Sequence, residues 1–279
     1  MSIFENMIQR GHEQVTFFSD PNSGLKGIVA IHNTTLGPAL GGCRMWQYDN
    51  EEAALTDVLR LSKGMTYKAA ISGLNLGGGK AVIIGDAKKE KSETLFRSFG
   101  RFVEGLGGRY ITAEDVGTSV KDMEWVRTET NHVTGISRAL GGSGDPSIVT
   151  AYGVYVGMKA AVKSKLNRNS LDGLKIGVQG LGHVGMILVD YLAKDGAELF
   201  VTDIDKKSVD KAVKDCNATA VGLDEIYGLD MDVFAPCALG AILNDETIPQ
   251  LKCSVIAGAA NNQLAKSHEH GKALMSKGI

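Results

Sequence analysis

From Leu174 onward the sequence alternates between short β-rich runs and helical stretches, and that alternation leaves few folds open. The runs stand at 175–179, 198–202, 218–221, 231–235 and 254–257. Strands that alternate with helices imply βαβ units and a parallel sheet. The first junction reads Gly180-Leu181-Gly182-His183-Val184-Gly185, a G-x-G-x-x-G pattern between the run KIGVQ and an apolar helix. The next run leads to Asp203, 23 residues after Gly180. Glycines in this arrangement allow a tight turn, close backbone approach to a pyrophosphate, and helix–strand contact. The helix N-terminus adds N–H donors and a positive dipole end. An acid at Asp203 suits a ribose 2′-hydroxyl and repels a 2′-phosphate, which favours NAD over NADP against the nearby Lys206 and Lys207.

The first half mixes strands with helices. β-rich runs at 14–19 and 25–31 flank the turn-forming DPNSG, and 80–85 and 110–113 read as two more short strands. Residues 51–63 carry apolar side chains at 54, 55, 58, 59 and 61, a helical spacing, with Glu51 and Glu52 at the start and Arg60 and Lys63 near the end. Residues 92–105 read as another helix, with Ser92 as its N-cap. The glycine-rich GGSGDP at 141–146 is the best linker. The fold class expected is α/β with two domains. Residues 1–145 are expected to form a mixed-sheet domain and 146–279 a Rossmann-type dinucleotide domain.

A second glycine cluster, Gly77-Gly78-Gly79-Lys80, invites comparison with a P-loop. That loop needs Gly-x4-Gly-Lys-Ser/Thr, but Leu74 stands where its first glycine should be and Ala81 follows the lysine. Lys68 and Lys80 instead flank an apolar, glycine-rich segment. Two amines close together in a poorly solvated place lower each other's pKa, and a neutral amine is a competent general base. Asp115, at the end of a β-run, is a second proton carrier by position.

Composition excludes several classes. Thirty basic against 32 acidic residues leave a net charge of −2, with no cationic excess for nucleic acid. No apolar run reaches the ~18 residues of a membrane span, and the N-terminus shows no signal-peptide pattern. The four cysteines, Cys43, Cys216, Cys237 and Cys253, form no C-x-x-C pair and read as reduced thiols of a cytoplasmic protein. His268-Glu269-His270 lacks the further ligands a metal site needs, so no metal is expected.

The segments GPALGGCRMW (37–46), LSKGMTYKAAISGLNLGGGKAVIIGD (61–86), RYITAEDVGT (109–118), VTAYGVYVGMKAA (149–161) and GVQGLGHVG (177–185) resemble the Glu/Leu/Phe/Val dehydrogenase family. So does 234–264, and the match runs in order along essentially the whole chain. The resemblance implies NAD-dependent oxidative deamination of an amino acid to its 2-oxo acid and ammonia in a cleft between two domains. Lys80 matches the lysine that activates water, Lys68 the lysine that grips the substrate carboxylate beside Gly41 and Gly42, and Asp115 the aspartate that exchanges a proton with the substrate nitrogen. Leu40, Met65 and Ala113 match positions near the substrate side chain. Thr150, Ala238 and Asn262 match positions at the nicotinamide end. Glutamate-specific members resemble this stretch but carry lysine where Leu40 stands, so an apolar branched-chain substrate, leucine foremost, is implied. The resemblance also implies a homo-oligomer.

Family members continue through a sixth strand and further helices, whereas five strands are read here before Ile279. The expectation is therefore a chain shortened at its C-terminus. A catalytically silent binding chain, or a phenylalanine or valine enzyme of the same family, stand as alternatives.

Overall fold

In the computed structural model, which describes residues 3–279, the chain divides into two compact units that meet in sequence between Asp145 and Pro146. The first contains α1 (Ile3–Arg10), β1 (Gln14–Asp20), β2 (Leu25–Asn33), β3 (Ala39–Leu40), β4 (Cys43–Trp46), α2 (Glu51–Ile71), β5 (Gly77–Ile84), α3 (Glu93–Glu104), β6 (Tyr110–Ile111) and α4 (Val120–Arg127). Its mixed sheet runs β1-β2-β5-β3-β6, with β4 also beside β5. β2 runs antiparallel to both of its neighbours, β1 and β5, and β3 and β4 run parallel to β5.

Side chains alternate across this sheet, as a strand period of two requires. Ile28, Ala30 and Val82 join Ala54, Leu55, Val58 and Leu59 of α2 on one face. Val29, Ile31, Ala81 and Ile83 join Phe96, Phe99, Met123 and Val126 of α3 and α4 on the other. Both faces are therefore covered, and the central strands read as continuous apolar runs. The helix starts are local. Asn50 accepts from Ala53 N–H at 2.8 Å and Ser92 from Leu95 N–H at 3.2 Å, satisfying N–H groups that a helix leaves open.

Two sequence expectations change here. The helix expected over 51–63 continues to Ile71, because Gly78 of β5 leaves room for its backbone: a Cβ there would lie 2.2 Å from Thr66 N and 2.6 Å from Ser62 O. The strand expected over 80–85 begins earlier, at Gly77. These glycines serve close packing, a Cβ on Gly77 falling 2.1 Å from Asn33 O and one on Gly79 2.7 Å from the Tyr110 ring.

The second unit contains α5 (Ser147–Leu166), β7 (Lys175–Gln179), α6 (His183–Lys194), β8 (Glu198–Thr202), α7 (Lys206–Cys216), β9 (Thr219–Ala220), β10 (Val233–Pro236), β11 (Val255–Ile256) and α8 (Ser267–Ser276). All strand pairs are parallel, in the order β11-β10-β7-β8-β9. The first strand lies in the centre and the chain winds outward both ways from it, a doubly wound sheet with its switch point at β7. α5, α6 and α7 cover one face through Met158, Val162, Leu188, Leu192 and Ala212. On the other face Phe234 packs with Ile226, Met231 and Leu251. Among the described residues no helix is long and apolar enough to cross a membrane.

Candidate active site

The first unit gathers its polar side chains where β3 passes into β4. Ala39 and Leu40 pair with Gly77 and Gly78, and Cys43 with Ala81, so the register is unbroken and sets Gly42 beside Lys80. Gly41 and Gly42 bridge this gap because nothing larger fits. A Cβ on Gly41 would lie 1.7 Å from Gly79 O, and one on Gly42 2.4 Å from Glu114 O and 2.9 Å from Asp115 Cβ. Tyr110, fully buried, donates from its hydroxyl to Gly41 O at 2.6 Å and holds the bridge from below. Met65 Cγ flanks the Gly41 position.

Lys80 is 3% exposed and its Nζ stands 3.2 Å from Asp115 Oδ2. Burial pushes the lysine amine below its ordinary pKa, Asp115 opposes that fall, and the neighbouring Arg44 guanidinium adds to it. Asp115 is held below the usual carboxylate range despite its burial, because Lys80 and Arg44 favour its charge. Glu114 goes the other way. Burial, with Asp145 and Asp122 nearby, pushes it up to about 7, and its Oε1 is buried with no hydrogen-bond partner. Burial also drives the Cys43 thiol well upward, so it is an inert packing group.

Lys80, Asp115, Gly41, Gly42 and Met65 thus come together, with Leu40 and Ala113 next to them in the chain and half-buried. Lys68 lies one turn beyond Met65 on α2 and is exposed. The mutual depression of two amines expected from the sequence is corrected here. The cation that acts on Lys80 is Arg44, while Lys68 is exposed. Arg44 and Asp57 escaped the sequence reading. The sequence carries no local signal for this pairing, because side chains at Cys43 and Met45 point to the face opposite Arg44 and its partners come from α2 and from Asp115.

In the second unit the glycine pattern forms the turn from β7 into α6. Gly180 has φ +98°, and a Cβ on it would lie 2.6 Å from Ala238 N, so this turn and the Ala238 segment are pressed together. A Cβ on Gly185 would lie 1.9 Å from Gly180 O. Gly182, by contrast, faces open space, with nothing within 4 Å of its Cβ position. His183 and Val184 open α6 beside it. This leaves an uncrowded backbone at a helix N-terminus, which fits a pyrophosphate. Asp203 follows β8 and accepts from Leu181 N–H at 2.5 Å and from Asp205 N–H at 2.7 Å, so its carboxylate sits against the loop as a ribose partner requires. Thr150 lies in the first turn of α5, and Asn262 adopts φ +51° with its carbonyl accepting from Ala241 N–H at 2.8 Å. Among the described residues no group of histidine, cysteine or carboxylate side chains could hold a metal ion.

Residues 12–132 match the family model described as Glu/Leu/Phe/Val dehydrogenase, dimerisation domain. The leucine dehydrogenase of Bacillus subtilis is 60% identical over 279 residues, which is 100% of this chain and 76% of that protein. The chain belongs to the Glu/Leu/Phe/Val dehydrogenase family. The phenylalanine dehydrogenase of Bacillus thermotolerans is 50% identical over 100% of this chain and 73% of its own length. The crystal structure of L-tryptophan dehydrogenase from Nostoc punctiforme superposes with a TM-score of 0.74 at 48% identity, covering 99% of this chain and 79% of that one. This family member is an NAD-dependent amino acid oxidoreductase, and its two-domain α/β fold is that of the amino acid dehydrogenases.

Proposed function

We propose that the chain oxidatively deaminates leucine, and more weakly valine and isoleucine, to the 2-oxo acid and ammonia. The observation that carries this reading is Lys80: a 3% exposed amine, lowered in pKa and held 3.2 Å from a carboxylate. Such an amine gives up its own proton more readily than an exposed lysine does, which suits it to act as a base.

Lys68 holds the substrate carboxylate together with backbone of Gly41 and Gly42. Asp115 takes a proton from the substrate ammonium, which readies the nitrogen to share its electron pair with Cα. The Gly180–Gly185 turn and Asp203 would hold NAD, which would supply the acceptor for the hydride of Cα. Lys80 then removes a proton from water as the water oxygen bonds to the imino carbon. Asp115 returns its proton to the nitrogen of the carbinolamine. The C–N bond breaks, the hydroxyl proton leaves with ammonia as ammonium, and Lys80 releases its proton to solvent. Thr150, Ala238 and Asn262 line the nicotinamide end of the cofactor site.

Leu40, Met65 and Ala113 make the side-chain pocket apolar. A glutamate side chain there would bury a carboxylate with no partner, which costs several kcal/mol, whereas leucine, valine and isoleucine separate by only ~1–3 kcal/mol. The first unit carries contacts between copies of the chain in a homo-oligomer. α1 supports this, since it buries none of its side chains and exposes Phe4 and Ile8.

The test is NAD reduction by the purified chain with leucine, valine, isoleucine, phenylalanine and glutamate in parallel. Turnover should be greatest with leucine and negligible with glutamate. A folded chain that turns over none of them, or prefers glutamate, overturns the reading.

A further inference from the structure

Arg44 lies in β4 between Cys43 and Met45, both fully buried, and is itself 7% exposed. A guanidinium in such a place is retained only if fully paired. It is paired twice. Nε donates to Asp115 Oδ2 at 2.9 Å, and Nη1 donates to Asp57 Oδ2 at 2.9 Å. Tyr48 donates its hydroxyl to the same Asp57 oxygen at 2.7 Å. Asp57 opens on a surface depression that Asn50, Thr56 and Arg60 also line, so the outer anchor keeps contact with water. Two anchors on different nitrogens fix both position and plane of the guanidinium, which a lysine cannot reproduce.

The inner anchor has a consequence for the carboxylate. Arg44 Nε and Lys80 Nζ both meet Oδ2, at 2.9 and 3.2 Å, rather than sharing the two carboxylate oxygens between them. The two oxygens are thereby made unequal. Building on the roles given above to Lys80 and Asp115, we propose that Arg44 is a positioning residue for deamination: it fastens Asp115 through Oδ2 and so reserves Oδ1 to trade the proton with the substrate nitrogen.

The same contact places a permanent cation beside the amine. The charged and titratable groups facing Lys80 are Asp115, Arg44 and Cys43, and those facing Arg44 are Asp115, Asp57 and Tyr48. Among them Arg44 alone is a fixed positive charge, and it opposes protonation of Lys80. Removing it should raise the Lys80 midpoint. Replacing it with lysine should keep the charge but lose the double tether.

Arg44→Gln and Arg44→Lys test both halves on the full chain. Lys80 is titrated by NMR of lysine-labelled protein, its signal assigned from Lys80→Ala, and leucine kinetics are run beside it. In Arg44→Gln the Lys80 midpoint should move up by about one unit, while in Arg44→Lys it should stay near the wild-type value. In Arg44→Lys kcat should fall about 10²-fold with KM for leucine changed less than about threefold, the mark of misplacement and not of lost binding. Should Arg44→Gln not fold, Asp57→Asn, which removes the charge of the outer tether at a partly exposed residue and so weakens it, should lower kcat about tenfold at unchanged KM. An unmoved Lys80 midpoint in folded Arg44→Gln, or wild-type kcat in Arg44→Lys and Asp57→Asn, overturns the proposal. A wild-type chain inert toward every amino acid sinks the leucine reading instead, and the Lys80 titration still decides whether Arg44 acts on this amine.

Discussion

Gly41 faces Gly79 across the first sheet so closely that a Cβ on Gly41 would lie 1.7 Å from the Gly79 carbonyl oxygen. No rotamer relieves that overlap, because both partners are backbone. Gly41→Ala must push β5 away, and Lys80 is the next residue along that strand. The substitution should cost about 3 kcal/mol or more, by urea unfolding, and abolish turnover. Gly153 is the control. It is exposed on α5 with nothing within 4 Å of its Cβ position, so Gly153→Ala should stabilise by about 0.5–1 kcal/mol. Equal effects at both sites would mean that the close approach does not exist in solution.

Lys80→Ala removes the amine and leaves Asp115 with Arg44 as its partner at 2.9 Å. Loss of a general base typically costs about 10²–10⁴ in rate, and kcat should fall within or beyond that range. NAD affinity, measured by calorimetry, should hold, since the glycine turn and Asp203 belong to the other unit. Near-normal turnover in this variant would remove Lys80 from the chemistry.

The legible parts of this molecule were those written locally. Alternation after Leu174, the GLGHVG turn and the Ser92 cap each depend on neighbours in sequence, and each appears where the pattern placed it. Lys80 and Asp115 were legible as motif positions, but their 3.2 Å contact was not, since it follows from strand register. Arg44 was hidden for the same reason: its partner Asp115 is 71 residues away. The start of β5 at Gly77, three residues before the expected strand, was hidden because the need for bare backbone at 77–79 comes from Asn33, Thr66 and Tyr110, on three other elements or their ends. The short helices α1 and α4, eight residues each, were not read, because two turns give too little periodicity to stand out.

Asp203, proposed above as the ribose partner, also clasps the glycine turn through Leu181 N–H. Asp203→Ser keeps a small polar group but removes the charge that repels a 2′-phosphate. The ratio of kcat/KM for NAD over NADP should narrow by about tenfold or more, or ~1.4 kcal/mol. NAD affinity should weaken as well, because the clasp on the turn is lost. An unchanged cofactor ratio would take Asp203 out of the ribose site.

His12 makes the first unit sensitive to acid. Its Nε2 lies 3.0 Å from Leu59 O, an acceptor only, so that nitrogen carries the proton, while Nδ1 is buried with no partner. A second proton would sit on Nδ1 with nothing to receive it, beside His32 at 4.8 Å and near Arg10 and Lys63. Burial, the larger cause, and His32, the next, lower the His12 pKa from 6.5 to about 4. The unfolded chain therefore binds the more protons between those values, so the contribution is full above pH 6.5 and is lost as pH falls toward 4. The loss should be on the order of 2 kcal/mol. His12→Gln keeps a donor for Leu59 O without a titrating group. Urea unfolding at about pH 7.5 and about pH 4.5 should show the wild type losing more stability than the variant, and equal losses would rule His12 out as the source.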